Sequence, residues 1–284
     1  MVTRHRVIVR ALGALTAVLT VGLTACTGDG SSDEPDATGT TSSPSASPTP
    51  TAAPRPVVDA CYRLTPAQLD EAQLDVAPVP CTQPHTTQTY LVAMLPDEVD
   101  PADGAAVATA ADRGCRAALR PYLRATPARL ALSRATYAWF VPSDDDLEAG
   151  ARWLRCDVAV SRSDTTLLPL PVKAHGLLRN DGALDRYGRC ARTGRAGIAA
   201  GEGGRACALP HTWRAVAARR LGAARDAYPG GAAVRQDVLS RCEQPAREFT
   251  DNSTADIDVG WLPPSRAAWA SGDRFGLCWT RTRD

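Results

Sequence analysis

Residues 57–284 carry one cysteine-bearing pattern twice, and that repetition limits the chain to folds built from two copies of a single unit. Cys81-Thr-Gln-Pro84-His85-Thr86 returns as Cys207-Ala-Leu-Pro210-His211-Thr212. Gly104-Ala-Ala-Val107 precedes Cys115 by eleven residues, counted from the glycine, and Gly231-Ala-Ala-Val234 precedes Cys242 by the same interval. Trp139, Pro142, Ser143, Gly150, Arg152 and Cys156 then match Trp261, Pro264, Ser265, Gly272, Arg274 and Cys278 over 18 positions without a gap. Each half therefore supplies four cysteines in one order: Cys61, Cys81, Cys115 and Cys156, then Cys190, Cys207, Cys242 and Cys278.

Eight cysteines allow 105 pairings, but closure inside each half with one shared pattern leaves three. Periodicity favours one of them. Ala108, Ala111, Cys115, Leu119 and Tyr122 fall at helical spacing, which puts Cys115 on the buried stripe of a helix. Leu154, Cys156, Val158 and Val160 alternate, which puts Cys156 on the buried face of a strand. A helix-to-sheet bridge Cys115–Cys156 follows, leaving Cys61–Cys81, with Cys242–Cys278 and Cys190–Cys207 as their counterparts. Around Cys278 the parity is less clean, because Phe275, Leu277 and Trp279 occupy the opposite face.

The coarse reading of one unit is a helix opened by Thr65-Pro66, a strand over 86–95, and a long helix over 101–123 with a break near Pro121. A strand over 135–141, a short turn starting at Pro142-Ser143 and ended by Gly150, and a strand over 151–160 complete it. The second copy is expected to repeat these elements, closing with strands over 254–262 and 273–280. This order indicates an α+β fold: two tandem disulfide-containing modules, each a mainly antiparallel sheet with a packed helix. The modules are placed at 57–161 and 187–284, joined by a linker over 162–186.

The first 25 residues hold Arg4, Arg6 and Arg10, no acidic residue, and a short apolar run, which is the layout of a secretory signal. That run is too short for a spanning helix, which needs about 20 residues. It ends in Leu23-Thr24-Ala25-Cys26, which resembles the lipobox of bacterial lipoproteins and makes Cys26 the expected lipidation site. Residues 26–56 are rich in Ser, Thr, Pro, Gly and Ala and form the expected disordered tether, about 30 Å long on average. Eight cysteines remain once Cys26 is set aside from the nine, an even number that suits an oxidising compartment. The 32 basic residues less the leader's three leave 29 against 31 acidic ones, a balance that implies no nucleic-acid partner. Lys173 is the only lysine amid abundant Ala and Arg, a high-GC coding bias that points to an actinobacterial source.

Cys-x-x-Pro-His, the helix cysteine and Trp-x-x-Pro-Ser…Gly-x-Arg-x3-Cys together resemble the septum formation domain, over most of residues 57–284. The likeness is most specific at Cys207–Thr212 and Trp261–Cys278, including Trp269-x-x-Gly272-Asp273-Arg274. The first copy departs from it at Leu147 and Ala151. Both copies lack an acidic residue after Pro-His, having Gln88 and Arg214 instead. The resemblance implies a fold type and an envelope location, and carries no active site.

The individual candidates read as structural. His85 and His211 could share a metal with a neighbouring thiolate or activate it. An exported cysteine is oxidised, however, and no third ligand stands at metal spacing, so hydrogen-bonded histidines at a strand start are expected. Asp144, Asp145 and Asp146 have no counterpart in the second copy and read as a solvated loop or a helix N-terminus rather than a calcium loop. Trp139, Trp261 and Trp269 read as core or turn anchors ahead of a sugar-stacking platform. Ser143 and Ser265 read as helix caps, and Arg152 and Arg274 as partners of a carboxylate. Gly201-Glu202-Gly203-Gly204 is a turn.

The function expected from the whole is a non-catalytic lipoprotein held on the outer side of the cell membrane by its lipid, with no metal or cofactor. It would bind envelope protein or wall glycan, in association with the septum. The alternatives are an enzyme acting on envelope polymer through His85 or His211, and a purely structural or sensor ectodomain.

Overall fold

The computed structural model describes residues 54–251 and 256–282, so the expected leader, Cys26 and the tether up to residue 53 lie outside the described residues. The chain begins with the two-residue strand β1 (Cys61–Tyr62) and a 3-10 turn at Ala67–Asp70, where a helix was expected after Thr65-Pro66. Strand β2 (Thr87–Met94) leads to helix α1 (Gly104–Leu123). Asp103 caps α1 by accepting from the amides of Ala105 and Ala106, both at 3.0 Å. Pro121 lies inside α1 and does not break it. It falls in the last turn, and Arg124, left-handed at φ 50°, closes the end by donating to the carbonyls of Arg120 and Pro121.

A short helix not expected from the sequence, α2 (Pro127–Leu132), follows. Its signal was present: Thr126 caps it by accepting from the Arg129 amide at 3.1 Å, with Pro127 in the first turn. Strand β3 (Ala135–Phe140), helix α3 (Asp144–Glu148) and strand β4 (Trp153–Val160) complete an antiparallel sheet in the order β1-β2-β4-β3. Helix α1 packs on one face through Val107, Ala111, Cys115, Leu119 and Leu123, against Leu154, Cys156, Val158 and Val160 of β4. The other face is covered too, by Tyr62, Leu64, Leu69 and Phe140.

The second half comprises α4 (Ala183–Tyr187), β5 (Arg189–Ala191), α5 (Arg195–Ala200), β6 (Gly204–Ala206) and β7 (Trp213–Arg220). It continues with α6 (Gly231–Leu239), α7 (Glu243–Thr250), β8 (Val259–Leu262), α8 (Arg266–Ala270) and β9 (Phe275–Arg281). Its sheet is antiparallel in the order β6-β5-β7-β9-β8, so four of its strands follow the order of the first sheet. Even an irregularity coincides. The ladder slips between Thr89 and Leu91 in β2 and between Ala215 and Ala217 in β7, at matching distances from the Pro-His motif. The long helix is not repeated intact. It divides into α6 and α7 at Ser240–Cys242, and Pro245 sits in the first turn of α7, where no intrahelical amide bond is lost.

The bridges are Cys61–Cys81, Cys115–Cys156, Cys190–Cys207 and Cys242–Cys278, the pairing that periodicity favours. Where a linker was expected, residues 162–186 instead pack onto the first half. Leu168, Leu170, Ala174 and Leu178 are buried in the core under α1, which also takes in Tyr187 and Ala206. Backbone bonds Leu170 to His85, Gly176 to Tyr122 and Leu178 to Leu123 tie the segment down. A run of apolar residues at 167–170 needs cover, and the sheet supplies it. In return α2 lies on the second sheet, its Ala128, Ala131 and Leu132 packed against a cluster that includes Trp213, Leu277 and Trp279. Arg189 adds a bond from its Nε to the Ala131 carbonyl at 2.8 Å. Phe275, Leu277 and Trp279 therefore face away from the bridge because that face is buried as well.

Candidate functional site

The motif residues that recur in the two halves hold loops in place. His85 is 1% exposed, and its Nδ1 stands 2.9 Å from the Gln83 carbonyl. His211 repeats this with the Leu209 carbonyl at 2.8 Å. A ring nitrogen facing a carbonyl is the protonated one, so the other nitrogen is left as an acceptor, and in His85 that Nε2 is buried without a partner. The only group of three candidate metal ligands among the described residues is Cys190, Cys207 and His211. Both sulfurs belong to one disulfide, and a bridged sulfur offers no thiolate to a metal.

Arg152 and Arg274 depart from expectation. Neither meets a carboxylate among the described residues. Arg152 donates to the carbonyls of Pro96 at 3.1 Å and Val99 at 2.8 Å, and Arg274 donates to those of Ala223 and, at 2.8 Å, Ala224. Each thus clamps the loop between the first long strand of its half, β2 or β7, and the following helix. Trp269 reinforces the second clamp: its Nε1 donates to the Asp226 carbonyl at 2.9 Å, and the Arg274 guanidinium lies 4.5 Å from its ring centre. Trp139 and Trp269 are buried and Trp261 is half-buried, so the three form no exposed stacking surface. Ser143 and Ser265 cap α3 and α8, accepting from Asp146 at 3.2 Å and Ala268 at 3.1 Å. Gly150 and Gly272 follow those helices at φ 89° and 86°, conformations that side chains disfavour.

Gln88 is a junction that the sequence did not reveal. Its Oε1 accepts from the Ala174 amide at 2.7 Å and the Tyr122 hydroxyl at 3.1 Å. Its Nε2 donates to the carbonyls of Val172 at 3.2 Å and Asp59 at 3.3 Å, beside the Cys61–Cys81 bridge. The amide both donates and accepts here, whereas an ionised carboxylate in its place would have no donor for the Val172 and Asp59 carbonyls. Gln88→Ala should destabilise the protein by about 1–3 kcal/mol, the cost of leaving buried polar groups unpaired. Hydrogen exchange checks it: the Ala174 amide should lose protection while Leu178, bonded to backbone, keeps more of its own.

A buried ion pair lies on the opposite face of the first sheet. Arg155 donates Nε to Asp157 Oδ1 at 3.1 Å and Nη2 to Oδ2 at 3.0 Å, with side chains 4% and 0% exposed. Thr89 and Thr87 add hydroxyl bonds to the carboxylate at 2.7 and 3.3 Å. The guanidinium stands 4.0 Å from the Tyr62 ring centre and 4.3 Å from that of Phe140. Burial pushes the Asp157 carboxyl up from its ordinary range, and the Arg155 charge and the Thr89 hydroxyl pull it back. In the second half the matching positions are Leu277 and Trp279, and those of Thr87 and Thr89 are Trp213 and Ala215. One face of the fold is thus polar where the N-terminal segment covers it and apolar where α2 does.

An open cavity lies in the segment after β4. It measures about 620 Å³ and is lined by Lys173, His175, Gly176, Arg179, Asn180, Arg186 and their neighbours up to Tyr187. The four basic side chains are exposed.

Fold and site define an α+β protein with two antiparallel sheets and four disulfides, whose repeated motif residues brace loops. The chain belongs to the septum formation family, whose model matches residues 59–278, and so to a septum-related class of envelope proteins. No curated protein and no solved structure matches it. Among the described residues no helix is long and apolar enough to cross a membrane.

Proposed function

We propose that the protein is an exported, non-catalytic lipoprotein, attached through Cys26 to the outer side of the cell membrane, that binds a protein or glycan partner near the septum. Its folded part is read as two copies of one module, fused through α2 and the 162–186 segment. The observation that carries the reading is the state of the cysteines. All eight beyond Cys26 are paired in four bridges, a density that belongs to an oxidising compartment. The leader and the Leu23-Thr24-Ala25-Cys26 sequence supply the route there and the anchor. The motif histidines and arginines support a binding role, since their side chains are committed to backbone carbonyls.

In growing cells fed labelled palmitate, the wild-type chain should take up label in the membrane fraction, and Cys26→Ala should take up none. Equal labelling of both chains would remove the anchor from the proposal. A fluorescent fusion at the C-terminus should concentrate at division septa; an even distribution around the envelope would remove the septal association.

A further inference from the structure

We infer that the cavity beside α4 is an anion-binding groove that takes the phosphate groups of an extended anionic polymer of the envelope. The inference rests on the envelope location proposed above.

Charge placement carries the argument. Lys173, His175, Arg179 and Arg186 line the groove and are exposed. Arg124 comes close to them, because the Arg124 and Arg179 side chains both reach within 4 Å of where a Cβ on Gly176 would stand. The carboxylates next to the groove are already engaged by cations from other elements: Asp181 by Arg129 of α2, and Asp185 by Arg214 of β7 at 2.7 Å. Lys173, Arg179 and Arg186 meet no carboxylate among the described residues. A cluster of like charges stripped of its counter-charges repels itself, and a bound anion relieves that repulsion.

The donors also suit phosphate. The arginines offer planar forks and the lysine a mobile point charge, the two means by which proteins hold phosphate oxygens. Asn180 adds an uncharged amide, and the Arg186 guanidinium is steadied 5.6 Å from the Tyr187 ring centre. The floor is firm. His175 rests edge-on against Tyr122 at 5.4 Å, and Tyr122 is bonded to Gln88. Ala174 and Leu178 are fully buried between the exposed Lys173 and Arg179, so the basic side chains project from an anchored segment. The cavity is open, and its basic side chains are spread along residues 173–186, an arrangement that suits successive phosphates of one polymer strand; lipid headgroups supply the same phosphate chemistry from a flat surface.

The test uses full-length protein extracted from membranes in non-ionic detergent, with fluorescein-labelled inorganic polyphosphate as the probe and anisotropy as the readout. Wild type should bind, and more weakly as ionic strength rises. The Lys173→Ala, Arg179→Ala, Arg186→Ala triple variant should bind roughly tenfold more weakly or worse, since charge-assisted contacts are the stronger ones. The Arg219→Ala, Arg220→Ala variant, which removes two exposed charges from β7, should match wild type. Thermal unfolding of each variant verifies that it is folded. No binding by wild type, or an equal loss in both variants, overturns the groove. Binding to phosphatidylglycerol vesicles without binding to polyphosphate overturns it in favour of a membrane surface. Palmitate labelling is read separately, so a chain that binds polyphosphate without an anchor keeps the groove and loses the lipoprotein reading.

Discussion

Asp157→Asn is expected to destabilise the protein by about 3–5 kcal/mol, the range for breaking one side of a buried ion pair. The reason lies in what remains. The Arg155 guanidinium is left without its carboxylate, held between Tyr62 and Phe140 with the side chain 4% exposed. It has no route to water without opening the cover formed by Tyr62, Leu64 and Leu69. Thr87 and Thr89 also lose a charged acceptor for a neutral one. The paired replacement Arg155→Met with Asp157→Leu removes both charges and should recover most of the loss, because a well-packed apolar pair often equals a buried ion pair. The second sheet supports that expectation with its own sequence, for it carries Leu277 and Trp279 at these positions under an apolar cover. Urea unfolding of the three proteins gives the comparison. A single variant as stable as wild type would show that Arg155 finds solvent, and the closed second face of the sheet would then be wrong.

The parts legible in the sequence were those set by local periodicity. Cys115 on the helix stripe and Cys156 on the alternating strand came from side-chain spacing alone, and spacing is what fixes which way each sulfur points. Caps at Ser143 and Ser265 were legible for the same reason. What escaped depends on groups brought together across the fold. Arg155 and Asp157 alternate with the apolar residues that mark the buried face of β4, and nothing in that alternation shows that their own face is covered; only the N-terminal segment folding over them reveals a second core. Leu277 and Trp279 gave a visible warning as apolar residues on the wrong face, but nothing local named α2 as their cover. The arginines at 152 and 274 read as partners of a carboxylate, whereas their partners are backbone carbonyls about 50 residues away in the chain. Residues 162–186 read as a linker because proline and glycine break any period there. That reading also concealed the basic groove, whose Lys173 and Arg179 flank the buried pair Ala174 and Leu178.

Replacing Cys115 and Cys156 together by alanine should lower stability by about 4 kcal/mol, and the same change at Cys61 and Cys81 by about 3 kcal/mol. The two bridges close segments of different length, with sequence separations of 41 and 20, and the longer loop removes more freedom from the unfolded chain. Loop length alone separates them by only about 0.6 kcal/mol. Packing widens the gap. Both sulfurs of the first bridge lie at zero exposure between α1 and β4, where their loss leaves a void among Ala111, Leu119 and Val158. Cys81 by contrast is only half-buried, at the edge of the sheet. The same difference orders the chemistry. As reductant is raised, thiol labelling should appear first at Cys81 and last at Cys115 and Cys156, which become accessible only when α1 leaves the sheet. Guanidinium unfolding and labelling mass spectrometry measure the two orders independently. A core-bridge variant as stable as the edge-bridge variant would mean that α1 holds to β4 without its sulfurs. The density of disulfides would then no longer be needed for stability, and the strongest support for an oxidising location would weaken with it.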